Sequence, residues 1–319
     1  MKIKKSTILT FIFFSIKILQ GQDMNTNLVQ SEGSFGLEEN ILNEFNSVEG
    51  NFALAFEEIG SSTNKLLINP DEVFHAASTM KTPVMMEVFK QAHERKFNLS
   101  DSILIKNEFH SIVDGSTYQM ELSDDGSEEL YKFIGQKRTI YQLVYDMITV
   151  SSNLATNILI ELIDAKNVTM TMRSIGADKI NVLRGVEDLK AYNLGLNNTT
   201  TANDLLVIFK TIADRSWISP EVCDEMSNIL LDQKFRTKIP SLLPQDVKVA
   251  HKTGSISKVE HDSGIIFLPD GRKYVLVILS KELEDVKLGI NTIAKASRMI
   301  YDYMVTHLTH SVILNCPDL

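Results

Sequence analysis

The sequence predicts an α/β protein, an α+β sandwich in which both ends of the chain build one antiparallel sheet flanked by helices, with an all-helical domain inserted between them. Three observations predict this class. Apolar residues alternate over residues 51–68 and again over residues 247–280, a pattern typical of strands. Between these regions apolar residues recur at intervals of three to four, which indicates helices. A helix also flanks the strands at each end of the chain.

The first half of the sheet is predicted ahead of residue 76. A helix is expected over residues 37–48, where apolar residues recur at helical spacing, and Gly50 ends it. Residues 51–59 alternate like a strand, with Ala53 and Ala55 forming a small face that can lie against a helix. A turn and a second short apolar run follow, so this opening predicts a helix and then a hairpin.

The middle of the chain is predicted to be mainly helical. Helices are expected over residues 140–150, 154–163 and 202–213. Residues 103–135 are polar and acidic and are predicted to form a surface excursion.

Strands return near the end of the chain. They are predicted over residues 247–255, 264–268 and 274–280, the last two joined by a Pro-Asp-Gly turn. A final helix is expected over residues 285–307. The predicted organisation is therefore a signal peptide and three segments, at residues 1–22, 23–75 (α/β), 76–215 (all-helical) and 216–319 (α/β again).

Residues 1–22 have the composition of a cleavable secretory signal peptide. Three lysines precede a short apolar run, and Lys17 interrupts that run, which favours cleavage over a retained membrane anchor. We therefore expect a periplasmic or secreted protein, with no membrane association after cleavage. Loss of the four lysines in this segment takes the formal charge from −9 to −13, which argues against nucleic acid as a partner.

The cysteine and histidine content sets limits on cofactors. The chain has two cysteines, Cys223 and Cys316, which we expect to be free thiols, although one disulfide is possible in an exported protein. The seven histidines form no metal-binding spacing, so no metal and no other cofactor is predicted. We expect a monomer.

Ser78-Thr79-Met80-Lys81 carries the strongest chemical signal. It precedes an apolar helical run, and a spacing of three puts serine and lysine one turn apart on the same face. A buried lysine has a lowered pKa, and its neutral form can take the serine proton. The alternative is a helix-capping serine followed by a surface lysine. Two other Ser-x-x-Lys matches, at residues 62–65 and 255–258, lack the helix-start setting.

Two companion motifs follow in order. In Ser151-Ser152-Asn153 a hydroxyl and a carboxamide can relay a proton and hold a substrate amide, or the cluster simply caps a helix. In Lys252-Thr253-Gly254 the lysine offers a charge to a substrate carboxylate and the glycine permits close approach; alternatively, the lysine is an ordinary edge-strand residue.

Glu187 lies in a predicted loop 34 residues after Asn153. A carboxylate in this place can activate water to hydrolyse an acyl-enzyme. The alternative is simple solvation beside Asp188, and the sequence leaves both open.

The ordered set of these three motifs resembles the class A β-lactamases and the penicillin-binding proteins, and the predicted element order agrees over nearly the whole mature chain. The resemblance implies a β-lactamase/transpeptidase-like fold. It also implies that Ser78 is the acylated nucleophile, Lys81 its general base and Ser151 the relay of a proton to the leaving nitrogen. The backbone N–H groups of Ser78 and Ser255 would form the oxyanion hole.

The resemblance implies further roles around the nucleophile. Asn153, Lys252, Thr253 and Gly254 would bind the substrate, Asn157 would brace the following loop, and Glu187 would fall at the place of the deacylating glutamate. Two departures stand out: Ser152 replaces the usual aspartate, and residues 188–191 lack the asparagine expected after the glutamate.

Three functions are consistent with this pattern. The first is an exported β-lactamase that opens β-lactam amides through an acyl-enzyme on Ser78. The second is a related amidase, esterase or D-Ala-D-Ala peptidase that acts on peptides resembling those of the cell wall. The third is a penicillin-binding sensor that is acylated and turns over slowly. All three act on a small molecule or a cell-wall-like peptide.

Overall fold

The computed structural model describes residues 36–61 and 63–313, so the predicted signal peptide at residues 1–22 and Cys316 lie outside the described residues. The helices are α1 (residues 36–46), α2 (Lys81–His93), α3 (Ile140–Thr149), α4 (Asn153–Ile163), α5 (Ala165–Ser174), α6 (Leu189–Asn193), α7 (Ala202–Ala213), α8 (Pro220–Leu231) and α9 (Val286–Ile313).

Five longer strands form the main sheet, and shorter strands form two-residue and three-residue pairs. The strands are β1 (Asn51–Glu58), β2 (Lys65–Ile68), β3 (Phe74–His75), β4 (Ser102–Leu104), β5 (Phe109–His110), β6 (Thr117–Tyr118), β7 (Lys137–Thr139), β8 (Thr199–Thr200), β9 (Lys248–Ile256), β10 (Val259–Phe267) and β11 (Lys273–Lys281).

The main sheet joins the two ends of the chain, as predicted. Its order is β2–β1–β11–β10–β9, and each described pairing in it is antiparallel. The central pairing runs from Asn51 opposite Lys281 to Glu58 opposite Tyr274. The predicted fold class, an antiparallel sheet flanked by helices, is therefore confirmed.

Alternate side chains of β1 belong to two different hydrophobic cores. Ala53 and Ala55 belong to the core shared with the helical part, where α7 lies against this face. Phe52, Leu54 and Phe56 belong to a second core with α1 and α9. The small face of β1 thus lies against a helix, as its sequence predicts, because alanine lets the helix approach closely.

The segment over residues 103–135 lies mostly at the surface, as its polar composition predicts, but it is anchored to the core. It forms β4 to β6, and four of its apolar side chains are buried in the helical core: Ile105, Phe109, Met120 and Leu130. These anchors are too irregularly spaced to produce a periodic signal, so the sequence does not identify them. The segment also packs beside the cavity described below.

The division into three mature segments at residues 75 and 215 stays a prediction. Among the described residues, no helix is both long enough and apolar enough to cross a membrane.

Candidate active site

Ser78 lies in a tight 3₁₀ turn, Ala77–Met80, that leads directly into α2 at Lys81. The turn is held by the Thr79 hydroxyl, which donates to Ala76 O at 2.6 Å, and Ala77 has a left-handed backbone (φ 45°). Ser78 is half-buried, whereas Lys81 is fully buried. The alternative of a capping serine with a surface lysine is therefore wrong.

The Lys81 amino group is held by the middle motif. Its Nζ donates to Ser151 O at 2.7 Å, to Asn153 Oδ1 at 2.8 Å and to Ser151 Oγ at 3.2 Å. Burial lowers the pKa of Lys81 to about 7, while the carboxylates of Asp125 and Glu187 act in the opposite direction. This lysine can therefore exchange a proton near neutral pH.

The start of α4 explains how Ser151 and Asn153 come to face the lysine. Ser152 is the N-cap, since its hydroxyl accepts from Ala155 N at 3.3 Å. Ser151 has a left-handed backbone (φ 58°), which turns the chain just before the helix. Of the three motif side chains, only that of Ser152 caps the helix, and its two neighbours contact Lys81.

Lys252, on strand β9 of the main sheet, contacts the hydroxyl of Ser151. Its Nζ donates to Ser151 Oγ at 3.0 Å and to Thr253 O at 3.0 Å. Strand β9 is an edge strand, but Lys252 is fully buried, so the interpretation as an ordinary edge-strand lysine is wrong. Burial, followed by the charges of Lys81 and Lys238, holds the pKa of Lys252 well below its usual range.

Gly254 brings β9 against the turn that carries Ser78. A Cβ at this position would lie 3.1 Å from Thr79 Cγ2, 3.2 Å from Ala77 Cβ and 3.3 Å from Ser78 N. The close approach that the glycine permits is thus between two parts of the chain. Its role in substrate binding stays a prediction.

The loop with Glu187 is braced by Asn157, as the resemblance implies. Asn157 Oδ1 accepts from Val186 N at 2.7 Å, and its Nδ2 donates to Val186 O at 3.0 Å. Glu187 has a left-handed backbone (φ 60°), and its Oε1 accepts from Asn153 Nδ2 at 3.4 Å. Glu187 is half-buried, so simple solvation does not describe it.

Two cavities meet at Ser78. One of about 360 Å³ is lined by Ser151, Thr253 and Ser255, among others. The second, of about 270 Å³, extends along Glu187 and Tyr192. Ser78, Asn153 and Ser255 line both cavities. The structure therefore brings the three motifs and Glu187 together around one serine.

The sequence prediction missed Lys238, which precedes β9. Lys238 is buried; its Nζ donates to Ser255 Oγ at 3.0 Å and to Gly254 O at 3.1 Å, and it forms an ion pair with Glu260 Oε2 at 2.6 Å. Ser255 Oγ in turn donates to Glu260 Oε2 at 2.7 Å. Lys238 belongs to no motif, so no local signal identifies it.

Asp125 was also missed, because the sequence places it among surface acids. It lines the larger cavity, and its carboxylate accepts from Asn153 N at 2.9 Å and Leu154 N at 2.8 Å. In the part of the chain that the structure describes, no three His, Cys, Asp or Glu side chains are grouped to hold a metal ion.

The chain is similar to known beta-lactamases in sequence. The model of the family described as "Beta-lactamase enzyme family" matches residues 36–304. A beta-lactamase of Bacteroides uniformis is 27% identical over 178 residues, which is 52% of this chain and 60% of that protein, so the chain spans less than two thirds of this relative. The extended-spectrum beta-lactamase PER-1 of Pseudomonas aeruginosa is 24% identical over 259 residues, covering 76% of this chain and 80% of the relative.

Among solved structures, PBP-A has a similar fold, with a TM-score of 0.73 and 24% identity over 85% of this chain and 96% of that one. The family match covers most of the chain and every residue of the three motifs. The chain therefore belongs to the beta-lactamase enzyme family.

Proposed function

We propose that this protein is an exported, monomeric serine hydrolase of the class A β-lactamase type, which opens β-lactam amides through an acyl-enzyme on Ser78. One observation carries the proposal. The buried Lys81 amino group, with a pKa lowered to about 7, is held by Ser151 and Asn153 one turn after Ser78. The same Ser151 hydroxyl accepts from Lys252. The proposed base Lys81, the proton relay Ser151 and the cation Lys252 thus lie beside the proposed nucleophile.

In the acylation step Ser78 Oγ attacks the lactam carbonyl carbon. Neutral Lys81 takes the hydroxyl proton, and the backbone N–H groups of Ser78 and Ser255 stabilise the developing oxyanion. The carbon–nitrogen bond then breaks. The proton passes from Lys81 through Ser151 Oγ, 3.2 Å away, to the leaving nitrogen. An ester on Ser78 remains.

Substrate binding would use the sheet side of the cavity. Lys252 and Thr253 would contact the substrate carboxylate, and Asn153 would contact its amide side chain. The approaching anion favours the protonated form of Lys252 and so counteracts the burial that lowers its pKa.

In the deacylation step Glu187 would take a proton from a water molecule that attacks the ester carbonyl. The oxygen–carbon bond to Ser78 then breaks, the proton taken up by Glu187 returns to Ser78 Oγ, and the product acid leaves. The contact between Glu187 and Asn153 supports this place for the carboxylate, since Asn153 also contacts Lys81.

The decisive experiment treats purified mature protein with a chromogenic cephalosporin and follows product release together with intact mass. Sustained turnover that is lost in Ser78→Ala is the expected result. Ser241→Ala, in an exposed loop, is the matched control and should retain full turnover. Acylation that persists in Ser78→Ala would show that the nucleophile is another residue.

A slowly deacylating penicillin-binding protein is the second candidate. The observation that favours it is the Glu187 loop, where Asp188-Leu189-Lys190-Ala191 lacks the expected asparagine. The similarity in fold to PBP-A fits both candidates. A persistent mass adduct without turnover would support the second candidate, whereas neither adduct nor turnover would favour a peptide or ester substrate of the amidase type.

A further inference from the structure

The middle motif carries no acid, because Ser152 stands between Ser151 and Asn153. A carboxylate nevertheless lies at this turn, and it comes from a distant segment. We propose that Asp125 is a positioning residue that fixes the turn of Ser151 and Asn153 and supplies the negative charge beside Lys81. This inference rests on the proposed function insofar as it concerns acylation.

The contacts of Asp125 place it at the N-terminus of α4. Its Oδ1 accepts from Asn153 N at 2.9 Å, and its Oδ2 accepts from Leu154 N at 2.8 Å. The Ser152 hydroxyl is 3.4 Å from Oδ2. These N–H groups have no partner inside the helix, so a carboxylate that binds two of them fixes the backbone of Asn153. The negative charge is also favourable at this end of the helix dipole.

Asp125 is itself held in place by its own segment. Tyr131 OH donates to Oδ2 at 3.1 Å, and Ser127 N donates to Oδ1 at 3.2 Å. Gly126 packs on the backbone before Ser151, where an added Cβ would lie 2.0 Å from Val150 O. Only glycine permits this approach, so the segment that carries Asp125 packs closely on the turn before α4.

The negative charge of Asp125 raises the pKa of Lys81, the proposed general base. Three charged groups face Lys81: Asp125 from this segment, Glu187 from its loop and Lys252 from β9. Both carboxylates raise the pKa of Lys81 against the effect of burial. Removal of Asp125 therefore gives a lysine that is neutral at lower pH, and acylation should begin at lower pH.

Moving the carboxylate from position 125 to position 152 tests this inference. The variants are Asp125→Asn, Asp125→Ala, Ser152→Asp and the double variant Asp125→Ala/Ser152→Asp, with Glu128→Gln as an exposed acidic control in the same segment. Two readouts are needed. Amide hydrogen exchange at Asn153 and Leu154 reports the cap without any substrate, and the rate of adduct formation with the chromogenic cephalosporin reports acylation across the pH range.

Asp125→Ala should speed exchange at both amides about tenfold, since a lost cap frees the first helical turn. It should also slow acylation roughly 10- to 100-fold at its optimum, because Ser151 and Asn153 lose their fixed geometry. The acidic limb of the acylation profile should shift to lower pH, and Asp125→Asn should show the same shift with a smaller loss of rate. The double variant should recover part of both losses, while Ser152→Asp alone should be impaired by two adjacent carboxylates.

Unchanged amide exchange in Asp125→Ala would overturn the inference, whatever the acylation rates. Faster exchange with an unchanged rate and an unchanged pH limb would overturn the role in acylation. If even the parent protein forms no adduct, the proposed function fails, while faster exchange in Asp125→Ala would still support the cap.

Discussion

Gly254 and Ser78 are in near contact across the boundary between sheet and helices: a Cβ added to Gly254 would lie 3.3 Å from the Ser78 nitrogen. The same Cβ would lie 3.1 Å from Thr79 Cγ2. These separations are shorter than ordinary van der Waals contact, so a larger residue must shift the turn that carries Ser78 by a few tenths of an ångström.

Gly254→Ala should therefore lower the acylation rate roughly 10- to 100-fold, because displacements of this kind misalign the attacking oxygen. Gly36→Ala is the matched control, since a Cβ at Gly36 meets nothing within 4 Å. Rapid-mixing kinetics with a chromogenic cephalosporin measure both variants. If Gly254→Ala acylates at the wild-type rate, the turn tolerates the added Cβ and this prediction is wrong.

Acylation should rise with pH through a midpoint near 7, because neutral Lys81 is the base and its pKa is lowered to about 7. In Glu187→Gln the midpoint should move to lower pH, since a neighbour that raises this pKa is removed. The same variant should accumulate the acyl-enzyme, which intact mass detects. A flat profile from pH 5 to about pH 9 would rule out Lys81 as the titrating base.

Asp188 connects the Glu187 loop to the hairpin of β5 and β6. Its buried carboxylate accepts from Ser111 Oγ and from Ile112 N, both at 2.9 Å. Asp188→Ala should slow deacylation about tenfold or more and leave acylation unchanged, because Glu187 loses its fixed position while Lys81 keeps its own. Glu108→Gln, an exposed acid directly ahead of β5, is the control. Single-turnover kinetics separate the two steps, and an equal loss in both would point to a folding defect.

The ion pair of Lys238 and Glu260 should restrain the binding of anionic substrates, because the carboxylate neutralises a cation that lines the cavity. In a Ser78→Ala background, Glu260→Gln should tighten binding of a β-lactam carboxylate severalfold. Lys238→Met/Glu260→Gln, which removes both charges, should reverse that gain. Calorimetric titration measures both; weaker binding in Glu260→Gln would contradict the expectation.

Acid should destabilise the fold through His261. Burial is the main cause that lowers its pKa from 6.5 to about 4; its Nδ1 also accepts from Ser280 N at 3.1 Å, and Nε2 contacts His75 O at 2.9 Å. As pH falls from about 6.5 to about 4, the unfolded chain takes up a proton that the folded protein excludes, so the free energy of unfolding falls by up to about 3 kcal/mol.

His261→Gln should therefore flatten this pH dependence, since glutamine can accept and donate at the same contacts without titrating. Urea unfolding at about pH 7 and about pH 4.5 measures the difference. His93→Gln, on the exposed side of α2, is the matched control. An unchanged slope in His261→Gln would assign the acid sensitivity to other groups, such as His75, whose pKa is also lowered to about 4 by burial and by Arg184.

The sheet and most of the longer helices could be predicted because each carries its own local pattern, whereas α5 and α8 were not identified. The alternation of β1 indicates both its conformation and the face that lies against α7. The three motifs could be found because residue type and spacing suffice to identify them. Their predicted roles stay predictions, although the structure brings Ser78, Lys81, Ser151 and Lys252 together.

What the sequence does not predict depends on contacts between distant segments. Lys238 and Asp125 stand in no periodic pattern, and their importance follows only from which groups they meet after folding. The burial of Lys81 and Lys252 is likewise a tertiary property, since the same side chains are usually exposed. The four buried apolar anchors of residues 103–135 were not identified for the same reason.

The central strand pairing also determines when the sheet and the candidate site can be completed during synthesis. Strand β1 is completed by β11, with Asn51 opposite Lys281, so β1 emerges during synthesis long before its neighbour exists. Lys252 likewise arrives at Ser151 only with β9, in the last third of the chain. Loops of this length close slowly, and a partial chain that lacks β9 cannot bring Lys252 to Ser151. The candidate site of a growing chain therefore stays incomplete until the last strands pair with the first.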